Sequence, residues 1–335
     1  MCLAQNSGKG VFVGRVRLDG AALLAPMSGI SDLGMRRAAR HFGAALAFSE
    51  MVAAETYLSG DVEAAVRSEG DGVVPHAVQL VGRDPAPMAE TARRVEGAGA
   101  EIIDINMGCP ARRVAGALAG AALMRDLDHA ERLMTAVAEA VRVPVTLKMR
   151  LGWDAATLNA PDLARRAERA GLCMVTVHAR TRAQFYEGRA DWTAVRAVVD
   201  SVRLPVAVNG DCGGVEDARA MLAQSGADAV MIGRAAVGAP WLVGAVSRAL
   251  NEGGPVRPPP VDDRREAALG HLDWLLGRLG GHAGLRHARK HLSAYAETEG
   301  AAASLRRRLV TTEDPKLAFR LLDLAFESDP LEAAA

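Results

Sequence analysis

From about residue 21 to about residue 250 the sequence alternates short β-branched or apolar runs with amphipathic stretches, and nothing else in it limits the fold so tightly. A repeated strand and helix unit implies a parallel sheet covered by helices on its faces. Eight runs read as strands, at 22–25, 45–49, 76–80, 102–105, 143–149, 174–177, 206–208 and 229–232. Helical patterns at 87–98, 129–141, 161–170, 192–199 and 215–224 lie between them, each closing near Gly, Pro or another turn residue. Eight units over roughly 230 residues match the size of a (β/α)8 TIM barrel. The competing open, doubly wound sheet would carry a G-x-G-x-x-G fingerprint after a strand, and none is present.

Gly253-Gly254-Pro255 and Pro258-Pro259-Pro260 break regular structure. The expected organisation is therefore a barrel over 1–252, a stiff linker at 253–260 and a small all-helical unit over 261–335. In that tail Leu269, Leu272, Leu276 and Leu279 recur at helical spacing, as do Leu285, Ala288, Leu292 and Tyr295.

Composition removes several function classes. Forty Lys+Arg balance forty Asp+Glu, so no global field draws nucleic acid or an anionic membrane, and such a partner needs a local patch. Cys2, Cys109, Cys173 and Cys212 match neither zinc-ligand spacing nor a secreted disulfide framework, so no metal is expected. The sequence has no apolar run of membrane-spanning length and no signal segment, which points to a cytoplasmic protein with no membrane partner.

Barrel enzymes carry their chemistry on the loops that follow the strands, because those loops converge on one face. The eight strands lead into Pro26-Met27-Ser28, Glu50, Gln79, Asn106-Met107-Gly108-Cys109-Pro110, Lys148, His178, Asn209-Gly210-Asp211 and Gly233-Arg234. One polar strand end is ordinary; eight at one rim form a site. Rare residues gather there too, since Lys148 is one of only four lysines, and Asn106 and Asn209 are two of five asparagines.

Leu24-Ala25-Pro26-Met27, Ser49-Glu50-Met51-Val52, Asn106-Met107-Gly108-Cys109-Pro110, Lys148-Met149-Arg150-Leu151-Gly152-Trp153, His178-Ala179-Arg180-Thr181-Arg182, Asn209-Gly210-Asp211 and Ile232-Gly233-Arg234 resemble, in order and spacing, the tRNA-dihydrouridine synthases, most closely the DusB branch. The segment around Cys109 is the most specific. Ser28 stands where that family usually has alanine, Ala179 where it has glycine, and Arg112-Arg113 where lysines are common.

The resemblance implies a bound FMN that accepts hydride from NADPH and delivers it to C6 of a uracil ring in tRNA, with Cys109 as the acid that protonates C5. An ordinary thiol value of about 8.5 suits that role, because a general acid must arrive protonated. Arg112 and Arg113 would depress the thiol unless RNA phosphates neutralise them. Lys148 is expected against the N1/O2 edge of the flavin, Pro26, Met27 and Ser28 along its ring system, and Gln79 at its pyrimidine edge. Asn209, Gly210, Asp211, Gly233 and Arg234 would hold its phosphate, His178 would lie near cofactor and substrate, and Asn106 would fix the uracil. Glu50 reads equally well as a structural hydrogen-bonding group.

Arg286, Arg289 and Lys290 fall at i, i+3 and i+4, and Arg306-Arg307-Arg308 form a second basic cluster, which together offer a tRNA phosphate footprint. Few aromatics argue against a broad stacking platform and for one extruded uridine in a closed pocket. A monomer acting on tRNA is the expected working form. Two other readings remain open: an FMN barrel that reduces a free pyrimidine or small enone, and an RNA-binding regulator on a retired barrel.

Overall fold

The computed structural model describes residues 10–111, 114, 116 and 118–327. Strands β1 (Val11–Val13) and β2 (Val16–Leu18) form an antiparallel hairpin that the sequence pattern does not announce. Strands β3 (Ala22–Leu24), β4 (Leu46–Ala53), β5 (His76–Val81), β6 (Ile102–Met107), β7 (Val145–Arg150), β8 (Met174–His178), β9 (Val206–Asn209) and β10 (Ala229–Ile232) follow. Each pairs in parallel with the next, and β10 pairs with β3, which closes an eight-stranded barrel. All eight expected strands are present, and β4 extends to Ala53 through an irregular step between Phe48 and Met51.

Helices begin where the sequence supplies a cap. Asp61 and Asp126 accept the Ala64 and His129 N–H groups at 2.8 and 3.0 Å, and prolines open the Pro85–Gly97 and Ala160–Arg169 helices. Successive strand residues point to opposite faces. Leu24, Val78, Leu80, Ile103, Ile105, Leu147, Val175 and Val177 pack outward against the helices. Leu23, Leu46, Phe48, Ala77, Ile102, Met174, Ala207 and Met231 point inward, where Val13 and Leu18 of the hairpin join them. The hairpin therefore stoppers the end of the barrel opposite the loops of interest.

After the Trp241–Glu252 helix, residues 253–260 carry no regular structure, and the helices Val261–Leu279, Gly281–Thr298, Ala303–Thr311 and Pro315–Glu327 follow. Their core includes Phe42 and Trp241 of the preceding barrel segment, and Trp241 stacks on Tyr295 with ring centroids 6.3 Å apart. A buried polar cluster joins the same surfaces. Asp32, the N-cap of Leu33–His41, accepts Met35 N–H at 2.9 Å and His271 Nε2 at 2.9 Å. His271 Nδ1 lies 3.0 Å from the Tyr295 hydroxyl, and His291 Nε2 lies 3.1 Å from the other Asp32 oxygen. Burial opposes an ionised Asp32, yet attraction and hydrogen bonding from His271 and His291 hold its carboxyl well below the ordinary value. Burial and the neighbouring His271 push His291 down to about 4. Gly34 permits this approach, because a Cβ there would come within 2.4 Å of the His271 ring.

Candidate active site

The inward face of the barrel changes character along its axis. Its lower layer is hydrocarbon, and above it every second residue is polar: Gln79 on β5, Asp104 and Asn106 on β6, Thr146, Lys148 and Arg150 on β7, Thr176 and His178 on β8, and Asn209 on β9. The parallel register sets Gln79 beside Asp104, Asn106 beside Lys148, Arg150 beside His178, and His178 beside Asn209. The sequence reading singled out five of these residues. It missed Asp104, Thr146, Thr176 and Arg150, although polar residues at a spacing of two inside strands that otherwise read as buried would have marked them.

Four side chains on β5, β6 and β7 form one buried chain of hydrogen bonds. The Thr146 hydroxyl donates to Asp104 Oδ1 at 2.6 Å, and Gln79 Nε2 donates to Asp104 Oδ2 at 2.6 Å. Asn106 Nδ2 donates to Gln79 Oε1 at 2.8 Å, while Asn106 Oδ1 accepts the backbone N–H groups of Gly108 and Cys109 at 3.1 and 2.9 Å. Asn106 thus shapes the turn after β6. Arg150 supports the same turn through an Nε bond of 2.8 Å to Gly108 O.

Cys109 emerges from that turn half-buried. Burial pushes its thiol above the ordinary value, and the nearby positive charges of Arg150 and Lys148 do not reverse this, so the sulfur carries its proton at neutral pH. Arg112 and Arg113 lie outside the described residues.

Lys148 points into the mouth of the barrel, where Nζ donates to Asn209 Oδ1 at 3.1 Å and Asn209 Nδ2 is anchored on Met231 O at 2.8 Å. Its partner there is a neutral amide rather than a carboxylate. Burial, and then the neighbouring Arg150, lower Lys148 to about 8. A desolvated ammonium so placed favours an incoming anion.

Burial and the surrounding charges of Lys148, Arg150, Arg180 and Arg234 hold His178 down to about 2, so its ring is neutral at any working pH. Arg180 Nη1 lies 3.4 Å from His178 Nε2, which makes that nitrogen the acceptor and leaves the proton on Nδ1. Arg180 also grips Asp211 with two bonds of 3.0 and 2.6 Å, and Arg234 Nη2 reaches the same carboxylate at 3.1 Å. The Asp211 carboxylate is thus committed to holding two guanidinium groups. Gly210, at φ +125°, makes the sharp turn that brings Asp211 round. Arg234 keeps its side chain 67% exposed, open to a further anion. The Tyr186 ring, unremarked in the sequence, lies 5.6 Å from the guanidinium carbons of both Arg150 and Arg234.

The loop after β3 runs Pro26, Met27, Ser28, where the Ser31 hydroxyl binds both Met27 N–H and Met27 O at 2.8 and 3.3 Å. Gly29 N–H donates to Glu50, whose carboxyl burial pushes upward. Lys290 belongs to the Gly281–Thr298 helix yet reaches this loop, since a Cβ on Gly29 would lie 3.4 Å from its Nζ. Of its expected partners on that helix, Arg286 is exposed and Arg289 half-buried.

A family model described as Dihydrouridine synthase (Dus) matches residues 23–329. A protein of Rhodobacter capsulatus named "Probable tRNA-dihydrouridine synthase" is 50% identical over 313 residues, 93% of this chain and 96% of its own length. The "tRNA-dihydrouridine synthase B" of Xanthomonas campestris pv. campestris is 40% identical over 330 residues, covering 96% and 99%. Among solved structures, morphinone reductase shares the barrel with a TM-score of 0.51 at 16% identity, over 77% of this chain and 93% of that one. The match along nearly the whole length, together with the closed barrel and its polar mouth, places this chain in the dihydrouridine synthase family.

Proposed function

We propose that the chain uses FMN and NADPH to reduce the C5–C6 double bond of uridines in tRNA. The observation that carries this reading is a protonated thiol, Cys109, and a desolvated ammonium, Lys148, on adjacent strand ends at one barrel mouth. Mass spectrometry of nucleosides in tRNA from cells with and without the gene tests it: dihydrouridine at one or more positions should vanish with the gene. Unchanged dihydrouridine would refute it.

The residues at the mouth suit an anionic, planar cofactor. Lys148 faces the cavity with a neutral neighbour, Arg234 has an open guanidinium, and Gly210 turns the backbone between their respective partners Asn209 and Asp211. Pro26, Met27 and Ser28 would line the ring system. The Gln79 amide, bonded to Asp104 and Asn106 and with no exposed surface, would meet the pyrimidine edge with its remaining Nε2 hydrogen once the bound ring displaces the side chains that cover it. Asn209, Gly210, Gly233 and Arg234 would hold the phosphate, with Asp211 aligning Arg234. Bound there, FMN would carry hydride from NADPH to uracil C6. Cys109 keeps its proton through burial and gives it to C5, Asn106 holds the turn that aims the sulfur, and neutral His178 adds no charge to the pocket. NADPH and RNA would use the same mouth in turn.

Lys148→Met is expected to lower the flavin midpoint potential. Gross attraction at about 4 Å is near 4 kcal/mol at an effective dielectric of about 20. With desolvation set against it, about 1–2 kcal/mol remains, equivalent to a fall of about 20–40 mV. A spectroelectrochemical titration checks this, and an unaltered potential would remove Lys148 from the flavin edge. In the parent the same loss should set in as pH rises above about 8, displaced upward when a bound anion stabilises the ammonium.

The Arg286, Arg289 and Lys290 face would meet tRNA phosphates, with the protein acting as a monomer. The logarithm of affinity should fall linearly with the logarithm of salt concentration, and Arg286→Ala should reduce that slope by about 1. A slope identical to the parent's would take Arg286 out of the footprint.

A further inference from the structure

We infer that Asp104 is a positioning residue that fixes the orientation of the Gln79 and Asn106 amides and, through them, the turn carrying Cys109. The inference rests on the proposed role of Cys109, and its argument is one of hydrogen-bond polarity. An amide can face either way unless its partners decide. At one end of the chain stands a carboxylate, which only accepts, and at the other stand the Gly108 and Cys109 N–H groups, which only donate. Between these ends only one arrangement leaves no donor facing a donor. Gln79 must turn Nε2 to Asp104 and Oε1 to Asn106, and Asn106 must turn Nδ2 to Gln79 and Oδ1 to the turn.

The setting makes the arrangement exacting. Gln79 and Asp104 have 0% and 1% exposure, so water cannot substitute for a missing partner. The groups around the Asp104 carboxyl are Gln79 from β5, Thr146 from β7 and the ammonium of Lys148, also from β7. Thr146 donates to the second carboxylate oxygen, so both oxygens act as acceptors. Burial raises Asp104 to about 6, against the opposing pull of those three neighbours, so the acceptor-only state holds above that pH. Asp104 touches neither the turn nor the sulfur, and acts through two amides.

The test uses the purified full-length protein without RNA. The rate at which iodoacetamide alkylates Cys109 is read from its peptide by mass spectrometry, with far-UV circular dichroism confirming the fold. Asp104→Asn puts a donor in the chain and leaves one donor unmatched, whichever way the new amide turns. Loosening the two N–H bonds of the turn should speed alkylation about tenfold, the equivalent of roughly one net hydrogen bond. The double variant Gln79→Glu with Asp104→Asn restores the polarity. The new amide at 104 accepts from Thr146 and donates to the new carboxylate at 79, which accepts from Asn106. Alkylation should return to within about twofold of the parent, inside the scatter of a single hydrogen bond.

A folded Asp104→Asn protein alkylated at the parent rate overturns the inference, as does a double variant no slower than the single one. If the single variant does not fold, the double variant decides alone: a folded protein with the parent rate supports the relay, and any other result overturns it. Restored alkylation in the double variant, together with a parent protein that makes no dihydrouridine in cells, supports the relay while removing the proposed reaction.

Discussion

Replacing Cys109 with alanine is expected to slow uridine reduction about 10²- to 10⁴-fold, the range that a positioned proton donor contributes. Flavin content and tRNA affinity should stay at parent levels, because the side chain forms none of the contacts expected to hold either. The effect belongs to one step, so it is best seen in single turnovers of prereduced enzyme with excess tRNA. Reoxidation should then stall, while reduction by NADPH proceeds at the parent rate. The pH dependence has a definite sign. Burial raises the thiol, so its supply of protons persists above the ordinary cysteine range and fails only as the solution becomes more alkaline still. Lys148, at about 8, therefore governs the first fall on the alkaline side. Parent-like single-turnover reoxidation in Cys109→Ala would show that another group gives the proton.

The second large effect is on stability. Asp32→Ala should destabilise the protein by about 3–5 kcal/mol, since it leaves two buried imidazoles without their carboxylate. At about 2–4 °C per kcal/mol, the melting temperature should drop by on the order of 10 °C. Acid has a related effect in the parent. The folded protein keeps His291 neutral down to about 4, whereas an unfolded chain binds its proton near 6.5. Between those values the unfolded state holds more protons, so stability falls as pH is lowered from 6.5 to 4. Asp32 acts lower still: its contribution is complete above the ordinary carboxylate range and drains only as pH drops through its depressed value. Thermal melts of parent and variant across pH 4 to 8 measure both. A melting temperature unchanged by the substitution would mean that packing of Phe42, Trp241 and Tyr295 alone holds the helical region in place.

The strands of the barrel were readable because each is a short apolar run between turn residues, and their ends were readable because a polar group there breaks the run. Lys148 and Asn209 stood out by rarity, and the structure brings them into contact. Asp104 left a signal, a polar residue two before Asn106 in a buried strand, that the search for apolar runs passes over. A carboxylate inside Ile102–Met107 reads as a blemish in an apolar segment until β5 and β7 place Gln79 and Thr146 on either side. His271 and His291 sit on helix faces otherwise filled by Leu272, Leu275, Leu292 and Tyr295, so helical periodicity absorbs them as core. Their partner Asp32 is 239 residues from His271, a distance over which a single sequence shows no pairing. The hairpin Val11–Leu18 was missed because two three-residue strands are too short to set up a recognisable alternation.

That hairpin has a consequence for isotopic labelling. With Val13 and Leu18 sealing a hydrocarbon layer across one end, hydrogen exchange between the sulfur and bulk solvent must pass through the opposite opening, the one that tRNA would cover in the proposed reaction. A docked tRNA would leave the sulfur a single exchangeable hydrogen, loaded beforehand. Prereduced enzyme bound to tRNA in heavy water and diluted into light water before the chemical step should therefore mark C5 with deuterium on its first cycle and with protium on every later one.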